Sequence, residues 1–400
     1  MPKSSALDTT RTNTSWLDIF ICWGAGIFAA MQFAKYSISY DSLILFYQKE
    51  GSEIGALLSV VGLVGIFFGS VAGVLSGNLG YKRVLVTSLS IGGALSIIQS
   101  FLPNYPVLFI SRIIEGISHL GIIVAAPTLM LRSSARRHHS LVMGIWGTFF
   151  GVAFAISGWL GSYILNAYGL SVLYLSHGVI SLPILSYFLF IYKSDQSYEP
   201  VTVSININCL LRDTIDVYLN PRTCLPGIVF LFHTCMFVSL LTFIPRMSQD
   251  NSIQAILFIT LPLFSIAGTF LSGFLSQYCM RPSYLVFTAY CGVALATFMT
   301  VLFADTSSYF VSSAALLLFL SGIVQGGAFT LIPALSKNAK EQAMGNGSIA
   351  QLGNLGATIG SPIFALVIDK TGNYGAFYVV FILCLMGCCA SLMTKRVTTP

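Results

Sequence analysis

Twelve mostly apolar runs alternate with short polar breaks along these 400 residues, near 17–38, 54–76, 84–103, 106–130, 141–165, 171–192, 223–245, 253–278, 284–304, 309–335, 344–368 and 375–394. Each is long enough for a helix of about 20 residues to cross a hydrocarbon core of about 30 Å. The pattern predicts an all-α integral membrane protein, because a helix satisfies its own backbone polar groups in lipid. The first, eighth and tenth runs are the least sharply bounded, the first because Asp18, Gln32 and Lys35 interrupt it. The longest polar stretch, 193–222, divides the runs six and six and reads as an interdomain linker. The expected organisation is a tail over 1–15, a six-helix bundle over 16–192, the linker over 193–222, a second six-helix bundle over 223–395 and a tail over 396–400.

The two halves repeat. Gly116, Ile117, Gly121 and Pro127 recur as Gly322, Ile323, Gly327 and Pro333, all at one offset. Gly73-Val-Leu-Ser matches Gly273-Phe-Leu-Ser, and Met143-Gly matches Met344-Gly, each in the equivalent span. Two pseudo-symmetric six-helix bundles facing each other are a transporter plan, with the solute site near the midplane between them.

Composition agrees with the pattern: hydrophobic residues make up 55% and charged residues 8%, with a mean hydropathy of +0.82. Soluble domains carry about 25% charged residues. The net charge of +6 is not a nucleic-acid footprint, because fifteen of the twenty Lys and Arg fall on one side of the expected topology, three on the other and two within spans. That bias places both ends in the cytoplasm. The polar first fifteen residues lack the apolar core of a cleavable signal. The nine cysteines, mostly inside apolar runs, are expected to be free thiols. No metal spacing, phosphate-cradling loop or nucleophile elbow is present, so neither an ATP-driven pump nor an enzyme is expected, and no cofactor.

The chemistry concentrates in the fourth run. Arg112, Glu115 and His119 fall within about 60° of one another on a single helix face. A charge near the bilayer centre costs about 2.5–3.5 kcal/mol on insertion scales, so three such groups need partners or water. A self-satisfied packing pair and the lining of a solute pathway are both open, with the second favoured. Lys35, in the first run, either pairs with Glu115 or snorkels to the interface.

These features resemble the major facilitator superfamily over essentially the full length. The loop Gly73-Val-Leu-Ser-Gly-Asn-Leu-Gly-Tyr-Lys-Arg83 is similar to the family signature G-x-L-(small)-D-R-x-G-R-K at Gly73, Leu75, Gly80 and Lys82. Gly77 stands where the family has Asp, and Asn78 and Tyr81 where it has Arg. The resemblance assigns Gly73, Gly80, Lys82 and Arg83 to a gating loop that ties the halves together. Arg112, Glu115 and Gly116 resemble the family's R-x-x-(Q/E)-G, whose arginine is linked to proton movement in proton-coupled members. Arg112, Glu115 and His119 are therefore the proton-coupling candidates. The Gly-Pro of the antiporter motif is absent from the fifth run.

The resemblance also implies that spans one, four, seven and ten line the cavity. The candidate solute-binding residues are Gln32, Lys35 and Tyr36 in span one, His119 in span four, and His233 and Phe237 in span seven. Gln325 in span ten, and Gln351 and Asn354 in span eleven, complete the set. Amides, hydroxyls and aromatics with few charges suit a small, mostly neutral organic molecule. The expected function is a proton-coupled secondary transporter importing an organic nutrient across the bacterial inner membrane. Its most specific form is uptake of a heteroaromatic vitamin such as riboflavin, for which the chain resembles bacterial facilitators of that type. Efflux of drugs or a siderophore, and a transporter-like solute sensor, are the alternatives. The expected partners are the solute, protons and the lipid bilayer, with the chain a monomer.

Overall fold

The computed structural model describes residues 13–192, 215–303 and 307–398. The start of the expected N-terminal tail, most of the linker and the last two residues lie outside them. Among the described residues there are helices and no strands: α1 (Trp16–Ile38), α2 (Tyr40–Tyr47), α3 (Gly51–Ser59), α4 (Leu63–Leu79), α5 (Tyr81–Ser100), α6 (Tyr105–Arg132), α7 (His139–Gly147), α8 (Phe149–Ile156) and α9 (Ser162–Ser186) in the first half. The second half contributes α10 (Pro221–Phe243), α11 (Asn251–Tyr278), α12 (Pro282–Leu302), α13 (Ser307–Leu335), α14 (Ala339–Thr371) and α15 (Asn373–Thr398).

Side chains start several of these helices by accepting from orphan amide groups of the first turn. Asn104 Oδ1 accepts from Val107 N at 3.1 Å to begin α6. Asn220, Asp250 and Asn338 do the same for α10, α11 and α14. Glu50 and Glu53 form a reciprocal capping box at α3.

Eleven apolar helical segments among the described residues are long enough to cross a membrane, and one of them, Leu141–Ile191, is 51 residues long. At 1.5 Å per residue that is about 76 Å, more than twice the hydrocarbon core. The segment breaks at Gly169 (φ 81°, ψ −176°), a conformation that glycine adopts without a Cβ clash. It is therefore long enough to cross twice, which makes twelve spans among the described residues. Span two is also broken, since a 3-10 turn at Val60–Gly62 separates α3 from α4. A short helix, α2, follows α1, an element that the hydropathy pattern did not distinguish. The eight cysteines among the described residues are all free thiols.

The repeated glycines do equivalent work in each half. A Cβ on Gly116 would strike the Val61 carbonyl of span two, and one on Gly322 would strike the Ser265 carbonyl of α11. Gly121 packs against Ser88 of α5, and Gly327 against Val286 of α12. Missing side chains thus let α6 and α13 lie backbone to backbone against their neighbours, where dispersion and close packing replace the hydrophobic drive absent in lipid.

The halves meet most tightly at the end of the spans remote from the termini. There Ser52 N donates to Asp369 Oδ2 (2.9 Å) and Ser59 Oγ to the Thr358 carbonyl (2.7 Å). Arg246 Nε donates to Asp41 Oδ2 (2.6 Å), and its Nη2 to the Ser37 carbonyl (2.7 Å). Ser37 and Thr242 hydroxyls are bonded at 2.7 Å, and Phe243 stands edge-on to Tyr40. Gly55 admits Ser361 and Ala365 of α14 into direct contact with α3. Gly268 and Gly322 together set the α11–α13 crossing, since a Cβ on Gly268 would strike the Phe319 carbonyl. Gly268→Val is expected to force these helices apart at a cost of about 1–3 kcal/mol. The melting midpoint in detergent should fall for Gly268→Val but not for Gly273→Ala, whose Cβ would meet nothing within 4 Å; equal midpoints would contradict this packing.

Candidate functional site

A charge knot lies buried in the first half. Lys35 Nζ, on α1, is 2.8 Å from Glu115 Oε1 on α6. It also donates to Gln99 Oε1 (2.9 Å) and Ser96 Oγ (3.0 Å) of α5, with His177 Nδ1 of α9 at 3.2 Å. Glu115 Oε2 accepts from Arg112 Nη1 at 2.5 Å and from Gln99 Nε2 at 3.0 Å. Arg112 and Glu115 are 0% exposed and Lys35 2%. Two cations and one anion are thus held out of water, which is tolerable only because nearly every donor is engaged.

Arg112 has a second task. Its Nε and Nη2 donate to the Leu57 (3.0 Å) and Leu58 (2.9 Å) carbonyls, in the last turn of α3 where the 3-10 turn interrupts the helix. These are carbonyls that an interrupted helix leaves without partners. Tyr36 lies over the guanidinium, its ring centre 4.0 Å away, and stacks on Tyr174. The Tyr36 hydroxyl is buried with no hydrogen-bond partner. His177 Nε2 sits 3.0 Å from the Phe28 carbonyl, which can only accept, so the neutral ring carries its hydrogen there. Its Nδ1 then accepts from Ser96, 2.7 Å away.

Of the three groups on one face of α6, the structure brings Arg112 and Glu115 together and turns His119 elsewhere. His119 Nδ1 donates to the Ala29 carbonyl (3.1 Å), and the ring stands edge-on to Phe33. From Phe33 a chain of aromatic contacts crosses between the halves: Phe33 to Phe150 (5.9 Å), Phe150 to Phe237 (6.0 Å), and Phe237 stacked on His233 (5.1 Å). A void of about 10 Å³ beside this chain is lined by Phe150, Phe237, Ser265, Thr269 and Gln325. His233 is 1% exposed; its Nδ1 is 3.3 Å from Ser321 Oγ, and its Nε2 has no hydrogen-bond partner.

The other expected residues are spread out. Gln32 donates to Ser118 (3.1 Å) inside the first half, its buried Oε1 without a partner. Gln351 Oε1 accepts from Tyr218 (2.9 Å). Asn354 bonds the Ala350 carbonyl and packs over Gly65, on the seam between halves. In the signature-like segment Gly73 lies within α4, and Gly80 makes the turn into α5 with φ 89°. Lys82 donates to the Tyr192 carbonyl (2.9 Å), a bond within the first half, and Arg83 is exposed. Sequence reasoning did not single out Ser96, Gln99, Phe33 or Phe150. Ser96 and Gln99 share a face at i,i+3 in span three, and that polar pair was the available signal.

Comparison with known proteins gives a family and a fold. The profile of the Major Facilitator Superfamily matches residues 22–349. A gallate transporter of Pseudomonas putida is 26% identical over 171 residues, 42% of this chain and 38% of that protein. Monocarboxylate transporter 13 of Rattus norvegicus is 25% identical over 362 residues, 86% of this chain and 80% of that protein. The chain thus spans well under half of the gallate transporter but most of the rat protein. The fold matches the crystal structure of a bacterial homologue of the human lysosomal transporter Spinster, with a TM-score of 0.73 and 10% identity. The match covers 95% of this chain and 96% of that one.

The knot predicts its own energetics. Glu115→Gln leaves Lys35 and Arg112 buried without a counter-charge and is expected to cost about 3–5 kcal/mol. Removing a cation as well, in Lys35→Met/Glu115→Gln, should recover part of that loss. Melting of the purified variants checks this; a double variant less stable than Glu115→Gln would show that the charges are not coupled.

Proposed function

The chain belongs to the major facilitator superfamily, and from that premise we propose that it is a proton-coupled secondary transporter importing a small organic carboxylate across a bacterial inner membrane. The solute site is the aromatic chain between the halves, and that chain is the observation carrying this reading. Both similar transporters bear the names of carboxylate substrates, gallate and monocarboxylates. Nothing in those names favours riboflavin, so the carboxylate class replaces the vitamin as the specific reading.

The bias of basic residues puts both termini in the cytoplasm. The tight seam of Asp41, Arg246, Ser52 and Asp369 then closes the outer end, and the conformation is inward-facing. The charge knot is joined to that seam by α3. Arg112 holds the carbonyls at one end of α3, while Gly55 and Ser59 of the same helix pack across to α14. Proton transfer to Glu115 removes the anion that holds Arg112 and Lys35 in place. The guanidinium is then released to shift, and the outer segment of span two with it. A bistable element biased by a proton is what coupling requires.

In proteoliposomes Glu115→Gln is expected to abolish accumulation driven by an imposed pH gradient, measured above protein-free vesicles. Solute counterflow should persist, which also reports that the variant is folded. Accumulation equal to the parent would place the proton route elsewhere.

A further inference from the structure

Among the described residues of the second half, three buried side-chain atoms lack a hydrogen-bond partner, the Ser336 and Ser361 hydroxyls and His233 Nε2, and His233 is the titratable one. Among its described membrane-spanning residues the interior carries no Asp, Glu, Lys or Arg, because Asp369, Lys370, Lys395 and Arg396 stand at helix ends. His233 is buried at mid-helix in α10, and its Nε2 is unsatisfied. An unpaired buried polar atom is destabilising, so its retention calls for a reason. With the Ser321 hydroxyl donating to Nδ1, the neutral ring carries its hydrogen on Nε2 and presents a donor. Gln325, one turn along the same face of α13 and lining the void, lies within reach of the ring without the geometry of a hydrogen bond to it. Phe237, on which the His233 ring stacks, faces Phe150 across the boundary between halves.

We propose that His233 and Gln325 form a carboxylate-binding subsite at the end of an aromatic slot between Phe150 and Phe237, and that the solute is a planar aromatic acid. This rests on the carboxylate reading above and adds the ring and its orientation. The His233 Nε2–H and the Gln325 amide donate to the carboxylate oxygens, while the ring lies between the two phenyl faces. Offset-stacked and edge-on pairs are both available to a flat solute there, and neither is available to a puckered ring of the same size. The void of about 10 Å³ is the size of a single water. Entry of a ring therefore needs Phe150 and Phe237 to part. Rocking of the halves moves them apart, because Phe150 belongs to the first half and Phe237 to the second. Binding at this place joins the halves through the solute, the ring to both and the carboxylate to the second.

The test is equilibrium binding to the purified full-length protein with four probes: benzoate, cyclohexanecarboxylate, benzamide and lactate. Benzoate is expected to bind about tenfold or more tighter than cyclohexanecarboxylate and benzamide. His233→Ala should weaken benzoate by about tenfold, and His233→Gln, which restores a donor, should recover part of that loss. Cooperative melting without probe reports that each variant is folded. Phe150→Leu should erase the preference for benzoate over cyclohexanecarboxylate while leaving lactate binding unchanged. Equal binding of the two cyclic acids by the parent, or an unchanged benzoate affinity in His233→Ala, overturns the subsite. If lactate binds and benzoate does no better, the aromatic slot falls alone. If none of the three carboxylates binds, the carboxylate reading falls with it.

Discussion

The Glu115 carboxylate, gripped by Lys35, Arg112 and Gln99, is the constraint from which most of the first half follows. Charges in a bilayer interior must be partnered, and partners for three of them cannot come from one helix. The solution draws α1, α5, α6 and α9 to a single point and, through the Leu57 and Leu58 carbonyls, adds α3. A bundle held in this way cannot flex one helix at a time without uncovering a charge. It moves as a body. The second half has no comparable knot among its described residues and relies on backbone approach at glycines such as Gly268, Gly322 and Gly360. Two halves held together by different physics meet at aromatic rings, Phe150 against Phe237.

That boundary is unequal along its length. The contacts at the end remote from the termini include an ion pair, a carboxylate accepting from the amide at the start of α3, and hydroxyl bonds. An exposed ion pair is worth little in itself, and the Asp41 side chain is 66% exposed. The seam owes more to Gly55, which admits α14, and to the Arg246 guanidinium spread over main-chain carbonyls of both halves. At the other end Lys82 bonds within its own half. Gly77 occupies the place of the acid that would have answered it in the family signature. The ion pair between the halves, Arg246 with Asp41, thus stands at the end remote from the termini.

Much of this was legible in the sequence because the bilayer simplifies the problem. Span length and the glycine repeat depend on hydropathy and on missing side chains, both of which are written residue by residue. The pairing of Arg112 with Glu115 is local, three residues apart, and so it too could be read. What failed was direction at long range. Lys35 could have turned to the interface or inward, and only the position of α5, with Ser96 and Gln99, decides it. His119 shares a face with Arg112 and Glu115, yet Ala29 and Phe33 of α1 claim it first. Phe33 and Phe150 were invisible among thirty phenylalanines, because nothing local separates a ring at the boundary from one in lipid. The turn at Val60–Gly62 breaks span two without a proline to announce it, whereas the break at Gly169 falls in the gap between the fifth and sixth apolar runs.

The claim at the centre is that this chain moves an organic carboxylate together with a proton. Proteoliposomes loaded with a pH-sensitive dye and given an inward gradient of an aromatic carboxylate test it most directly. Internal acidification that saturates with carboxylate concentration and outpaces that of protein-free vesicles is expected. Acidification no faster than in protein-free vesicles, in the presence of protein shown to be folded, would contradict it.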